Sequence, residues 1–232
     1  MQKKIGLKIG AIANTKIIDP EKIHTLLEPG ELGAMIDLKV WDPKTGNVTE
    51  ERSKKSESFL QGFLQMLYIM MAGIAGQAAG PRAESVAGVS IRDTGNTLRT
   101  IFIAQQTDPW HLDVLAGATV VTFGIIIGTG NTAPVISNYV IETIIPHATM
   151  NYSAVTFGAP ASDATTSQLT ITRNFANVSG GGVTVNEVGL YSRAWYASAT
   201  AYIMLIRDVI AGGILVPNGQ TLTVNYRAQA VV

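Results

Sequence analysis

From residue 118 to its C-terminus the chain passes through a series of strand-period runs, at 118–127, 153–157, 168–173, 183–191, 202–207 and 221–227. Each is rich in Val, Ile, Thr, Tyr or Phe, and each is closed by Gly, Pro, Ser or Asn. No amphipathic helix lies between them. Parallel neighbours would need a crossover of a dozen or more residues, usually helical, so these strands are expected to pair antiparallel. Val89-Ser-Ile-Arg-Asp93 and Leu98-Arg-Thr-Ile-Phe-Ile103 flank Thr94-Gly-Asn-Thr97 as a further hairpin. Ala34 to Asp42 alternates apolar and polar residues, Asp42-Pro-Lys-Thr-Gly-Asn47 supplies turn chemistry, and Val48-Thr49 resumes the extended pattern. No fixed-period repeat marks a solenoid or propeller. The expected fold class is mainly β, an antiparallel β-sandwich or barrel.

One segment has a different period. After a charged run at 50–57, Ser58 and Gln61 form a capping box ahead of Phe59, Leu60, Phe63, Leu64, Leu67, Met70, Met71 and Ile74, which predicts a helix over 58–76. Gly73, Gly76 and Gly80-Pro81 weaken and end it. Residues 59–79 carry no charge, a length that could span a bilayer. Gln61, Gln65 and Tyr68 nevertheless put a polar stripe on one side, which fits a helix against protein, not one in lipid. A soft boundary near Gly80-Pro81 divides a hairpin-plus-helix portion, 1–80, from a β-sandwich portion, 81–232. One sheet cannot cover a helix that is apolar on most of its circumference, so Phe59, Phe63, Leu67, Met70 and Met71 are expected at a subunit interface.

Composition points the same way. Apolar residues make up 47% of the chain and charged residues 15%, which leaves few charges to keep copies apart. A homo-oligomer is expected. Lys plus Arg and Asp plus Glu number 17 each, so no net field draws the chain to nucleic acid or an anionic membrane. The absence of cysteine removes disulfides, thiolate metal sites and thiol nucleophiles. Lys3-Lys4 precede an apolar run, but Lys8 splits it, so no secretory signal is expected.

Gly128-Thr-Gly-Asn-Thr-Ala133 spells the dinucleotide fingerprint G-x-G-x-x-A after an apolar run. Such a site needs a helix directly after the glycines. Pro134-Val-Ile-Ser-Asn-Tyr-Val-Ile-Glu-Thr-Ile-Ile145 is too β-branched to supply one, and no phosphate-binding lysine follows. The run is read as a corner between strands. His24, His111 and His147 are scattered, Asp108-Pro-Trp-His-Leu-Asp113 lacks companion ligands, and no G-x-S-x-G elbow occurs. No catalytic group, metal, cofactor or small-molecule substrate is expected. In Thr184-Val-Asn-Glu-Val-Gly-Leu-Tyr191, alternation sets Val185, Glu187, Gly189 and Tyr191 on one face. A carboxylate in such surroundings needs a partner, and Arg207 or Arg173 can supply a structural ion pair. Trp110, Trp195, Tyr191, Tyr196 and Tyr202 could line a sugar- or base-binding surface, but such residues more often fill a β core or an interface. The tight basic groups, Lys3-Lys4 and Arg52-Ser-Lys-Lys55, are read as a solvated face.

Gly124 to Pro134, Thr172-Arg-Asn-Phe-Ala-Asn-Val-Ser-Gly-Gly-Gly182, Val185 to Tyr191, Leu205-Ile-Arg-Asp-Val209 and Val216-Pro-Asn-Gly-Gln-Thr-Leu-Thr-Val-Asn-Tyr226 together resemble a recurrent set in structural proteins of tailed bacteriophages. The likeness covers roughly the C-terminal half. It implies a non-enzymatic virion component, made in the host cytoplasm and packed against copies of itself and other particle proteins. A capsid-associated place is preferred to tail, neck or fibre, with a receptor- or glycan-binding spike as the alternative.

Overall fold

The computed structural model describes residues 25–56, 58–72, 89–101, 112–196 and 199–232. The expected boundary at Gly80-Pro81 and the helix-breaking Gly73 and Gly76 lie outside these residues, as do His24, His111 and Trp110.

The architecture is mainly β, with antiparallel sheets and, among the described residues, one helix. Its largest sheet is built on the last strand. Leu222, Val224 and Tyr226 of β12 (Thr221–Val231) alternate inward. β1 (Leu32–Trp41) pairs on one side and sets Val40, Leu38 and Ile36 opposite them. On the other side β9 (Thr166–Asn177) brings Phe175, Arg173 and Ile171 into the same rows. The hairpin from the N-terminal portion is therefore integral to the sheet that closes with the C-terminal strand. Three short strands, β6 (Met150–Tyr152), β7 (Thr156–Phe157) and β8 (Ala161–Ser162), cover the far edge of β9. At the near edge, β2 (Val48–Ser56) pairs with β1. The charged run expected ahead of a helix is thus a strand, and its Glu50, Glu51, Arg52, Lys54 and Lys55 blunt an edge open to further pairing.

The second sheet has the order β11 (Ala199–Val216), β10 (Val183–Tyr196), β5 (Gly124–Gly128). It faces the first without closing into a barrel. Bonds across the gap show the apposition: Tyr226 Oη donates to Val188 O at 3.4 Å, and Lys54 Nζ to Val209 O at 3.0 Å. The core between them is mostly apolar, with Ile36, Leu38, Ile127, Val188, Ile206 and Val224 almost fully buried. Such burial stabilises by about 25 cal/mol per Å² of apolar surface. β3 (Val89–Arg92) and β4 (Leu98–Ile101) form the expected separate hairpin.

The helix α1 spans Gln61–Ala72 and starts later than the capping pattern predicts. Residues 58–60 instead run extended against β11: Leu60 N donates to Leu205 O at 2.9 Å, Arg207 N donates to Ser58 O at 3.3 Å, and Phe59 bridges Ile206. Pairing with an exposed sheet edge outcompetes the cap. Gly62, Met66 and Ile69 turn toward the core. At Gly62 a Cβ would stand 2.7 Å from Met204 O, so helix and sheet meet there without room for a side chain. Two expected strands are shorter in the structure. Of 118–127 only the end is strand, because the carbonyls before it serve a buried arginine, and 153–157 breaks between β6 and β7.

Candidate functional site

Glu187, on β10, has no exposed surface. Its Oε1 accepts the Gly130 amide at 2.9 Å and the Thr143 amide at 3.2 Å. Its Oε2 accepts the Glu142 amide at 3.3 Å and Arg207 Nε at 2.9 Å. Arg207, on β11 and 1% exposed, therefore meets Glu187 as an ion pair, with Nη2 also 2.9 Å from Oε2. The register explains the choice. Arg207 stands opposite Gly189, two residues along from Glu187, a diagonal that a long side chain spans.

The same guanidinium touches two groups the sequence reading missed. Nη1 donates to Asn138 Oδ1 at 3.1 Å, and Nη2 lies 3.3 Å from Glu142 Oε1. Glu142 then reaches over the glycine run, accepting the Asn131 amide at 3.1 Å and the Thr132 amide at 3.2 Å. Amides of the G-x-G-x-x-A segment that would cradle a pyrophosphate are thus occupied by two carboxylates of the chain itself. Glycine is required there by close approach. A Cβ on Gly128 would stand 2.6 Å from Thr143 O, and one on Gly130 would collide with both carboxylates. The following residues form turns and no helix.

Glu142 is the accessible member of this group. Its hydrogen bond with Thr132, the Asn131 amide and the Arg207 charge outweigh desolvation and hold its pKa below the usual glutamate value. A carboxylate depressed in the folded state stabilises above its unfolded pKa and loses that contribution as pH falls through the folded value. Acidification is therefore expected to release the clasp below the range of a free glutamate. In NMR titration the Asn131 and Thr132 amide shifts should move together with that low midpoint, and Glu142→Gln should abolish the transition. A midpoint at the free-glutamate value would remove this account.

Arg173, the other partner considered for Glu187, is committed elsewhere. Fully buried on β9, it donates to the carbonyls of Ser153, Phe123, Ile125, Gly117 and Val120, and its guanidinium carbon lies 4.8 Å from the centroid of the Tyr152 ring. Burial draws its pKa down to about 10, which leaves it charged at neutral pH. A third buried centre links the sheets beside the ion pair, at Asp208, the neighbour of Arg207 on β11. Asp208 Oδ2 accepts Ser56 Oγ at 2.7 Å and Tyr226 Oη at 3.1 Å, while Lys54 Nζ stands 3.3 Å from Oδ1. Burial and the Asp208 charge push the Tyr226 phenol well up. Lys54 and Lys55 are consequently ion-pair members, Lys55 reaching Glu31 at 2.6 Å.

The remaining sequence candidates separate. Asp113 pairs with Arg193. The ring nitrogen Nδ1 of His147 accepts the Tyr152 amide at 3.0 Å. Among the described residues no three His, Cys, Asp or Glu side chains cluster to hold a metal, and no helix is long and apolar enough to cross a membrane. Tyr191 is buried, its hydroxyl accepting the Ile141 amide at 2.7 Å, and Tyr202 stacks on Phe123. The side chains of Trp195, Tyr196, Met70 and Met71 lie outside the described residues. The Phe59 and Phe63 rings meet at a tilt of 53° with centroids 4.8 Å apart and pack partly against the core. Leu67 is half-buried, whereas Leu64 and Tyr68 are 60% and 53% exposed. The uncovered apolar stripe of α1 therefore runs through Leu64 and Tyr68, one turn apart.

Comparison with known proteins finds no matching family, no matching curated protein and no matching solved structure.

Proposed function

We propose that this chain is a non-enzymatic, self-associating structural component of a tailed-phage particle, associated with the capsid and in contact with other particle proteins. The observation that carries the reading is the outer face of α1. Its inward residues are already satisfied by β11, yet Leu64 and Tyr68 remain uncovered beside the half-buried Leu67. Burying such a stripe between copies gains about 25 cal/mol per Å², and the low charge of the chain opposes contact weakly. The motifs that resemble phage structural proteins support it further. They fall on β5 and its glycine loop, β9, β10 and β11, which hold the Glu187 and Arg173 centres, and on β12, which pairs with β9. A self-filled interior suits a building block.

The purified chain is expected to form rings, tubes or shells in negative-stain images. Leu64→Asp with Tyr68→Asp should leave a monomer in light scattering with an unchanged melting temperature. Phe63 is a poorer probe, because its contact with Phe59 and the core makes a charge there unfold the chain. A wild-type chain that stays monomeric at high concentration would end the self-association reading.

A further inference from the structure

Between the first turns of α1, the β3–β4 hairpin and residues 136–139 lies an open cleft of about 270 Å³. It is small beside pockets for drug-sized ligands, which start near roughly 300 Å³, and has room for one ring-sized molecule. Its lining residues carry a distinctive set of polar side chains: the amides of Gln61, Gln65 and Asn138, the Ser137 hydroxyl, the Arg92 guanidinium and the Tyr139 phenol. No carboxylate, imidazole or lysine is among the lining residues, which disfavours a cation or a polyphosphate.

We propose that this cleft binds a single sugar unit of a carbohydrate chain. A side-chain amide carries donors and an acceptor in one plane, and vicinal sugar hydroxyls each donate and accept, so three amides around one small cleft match that pattern. Sugars also present a C–H face. Tyr139 and the exposed Leu98 and Ile136, each 61% exposed, provide ring and aliphatic surface for it in the same cleft. Part of the site is already set. Arg92 Nη1 donates to Asn96 O at 3.2 Å and also to Asn96 Oδ1, which places the guanidinium 5.8 Å from the Tyr139 ring centroid. Part of it is free to exchange. Gln65 Nε2 lies 3.5 Å from Ser90 O, a long contact that a ligand hydroxyl can replace. Asn138, by contrast, is anchored through Oδ1 by Arg207 and by the Val135 amide, which leaves its NH2 group to donate. The buried ion pair thus positions a cleft residue. The cleft is complete within one chain, and its lining does not include Leu64 or Tyr68, so binding does not depend on the self-association proposed above.

The test is saturation-transfer NMR of the full chain with the methyl glycosides of glucose, galactose and N-acetylglucosamine and with glucuronic acid. An open site for one ring is expected to give a dissociation constant on the order of 1 mM, so the sugars are supplied at about 10 mM. Transfer to at least one sugar is expected, together with shifts of the Gln61, Gln65 and Asn138 side-chain amides in the labelled protein. Tyr139→Ala and Gln65→Ala should each weaken binding about tenfold without lowering the melting temperature. Leu64→Asp serves as a surface control and should leave binding unchanged. No transfer with any of the four sugars overturns the proposal, and so does a dissociation constant, read from transfer over a sugar titration, that neither cleft substitution raises.

Discussion

Arg207→Ala is expected to lower the unfolding free energy by about 3–5 kcal/mol, the usual cost of stranding one half of a buried ion pair. Loss of the guanidinium leaves the Glu187 carboxylate with amide donors only, from Gly130, Glu142 and Thr143, and takes from Asn138 and Glu142 their contact with β11. Glu187→Ala should cost a similar amount, since it strands the arginine and the loop amides together. The double substitution should cost clearly less than the sum of the singles, giving a coupling energy of about 2 kcal/mol or more in urea titrations. Additive singles would mean that the two side chains act independently and that the pair does not hold the loop. The cycle also separates pairing from packing, because cavity formation alone adds at two sites that do not interact.

The sequence announces Glu187 through a simple conflict, a lone carboxylate in the apolar run Val185 to Leu190, and the same conflict marks Glu142 between Ile141 and Ile144. Strand alternation makes only the first conspicuous. Choosing between Arg173 and Arg207 required strand register, which a sequence leaves open because both lie in strand-period runs. Long strands such as β9 to β12 are legible because β-branched residues alternate between punctuating Gly, Pro and Asn. Residues 50–56 are not, since charge along an edge strand looks like a solvated linker until its partner is known. The helix start fails for a related reason. Ser58 and Gln61 satisfy the capping pattern locally, yet Ser58 and Leu60 gain backbone bonds to β11, a long-range competitor that no local pattern shows.

The second large effect lies at Arg173, which pairs with no carboxylate among the described residues and is held by five carbonyls and the face of the Tyr152 ring. Arg173→Met keeps much of the stem's volume but leaves the five carbonyls of Gly117, Val120, Phe123, Ile125 and Ser153 without their shared donor. Each unsatisfied buried group costs about 1–3 kcal/mol, partly recovered where water reaches the exposed side of the loop, so a total near 4 kcal/mol is expected. For a chain of this size that is a fall of about 8–16 °C in melting temperature. Arg173→Lys discriminates the cause. If burying charge were the essential feature, lysine would restore most of the loss. A compact ammonium has three donors and cannot span carbonyls that approach the guanidinium from β5, from the loop before it and from residue 153, so recovery of less than half is expected. The damage should be local in structure though large in energy: hydrogen exchange is expected to rise first in residues 117–125, while the β1–β12 pairing stays protected. Full rescue by lysine, or uniform loss of protection across both sheets, would show that Arg173 acts through its charge or its bulk, and not as the planar donor that joins β9 to the approach of β5.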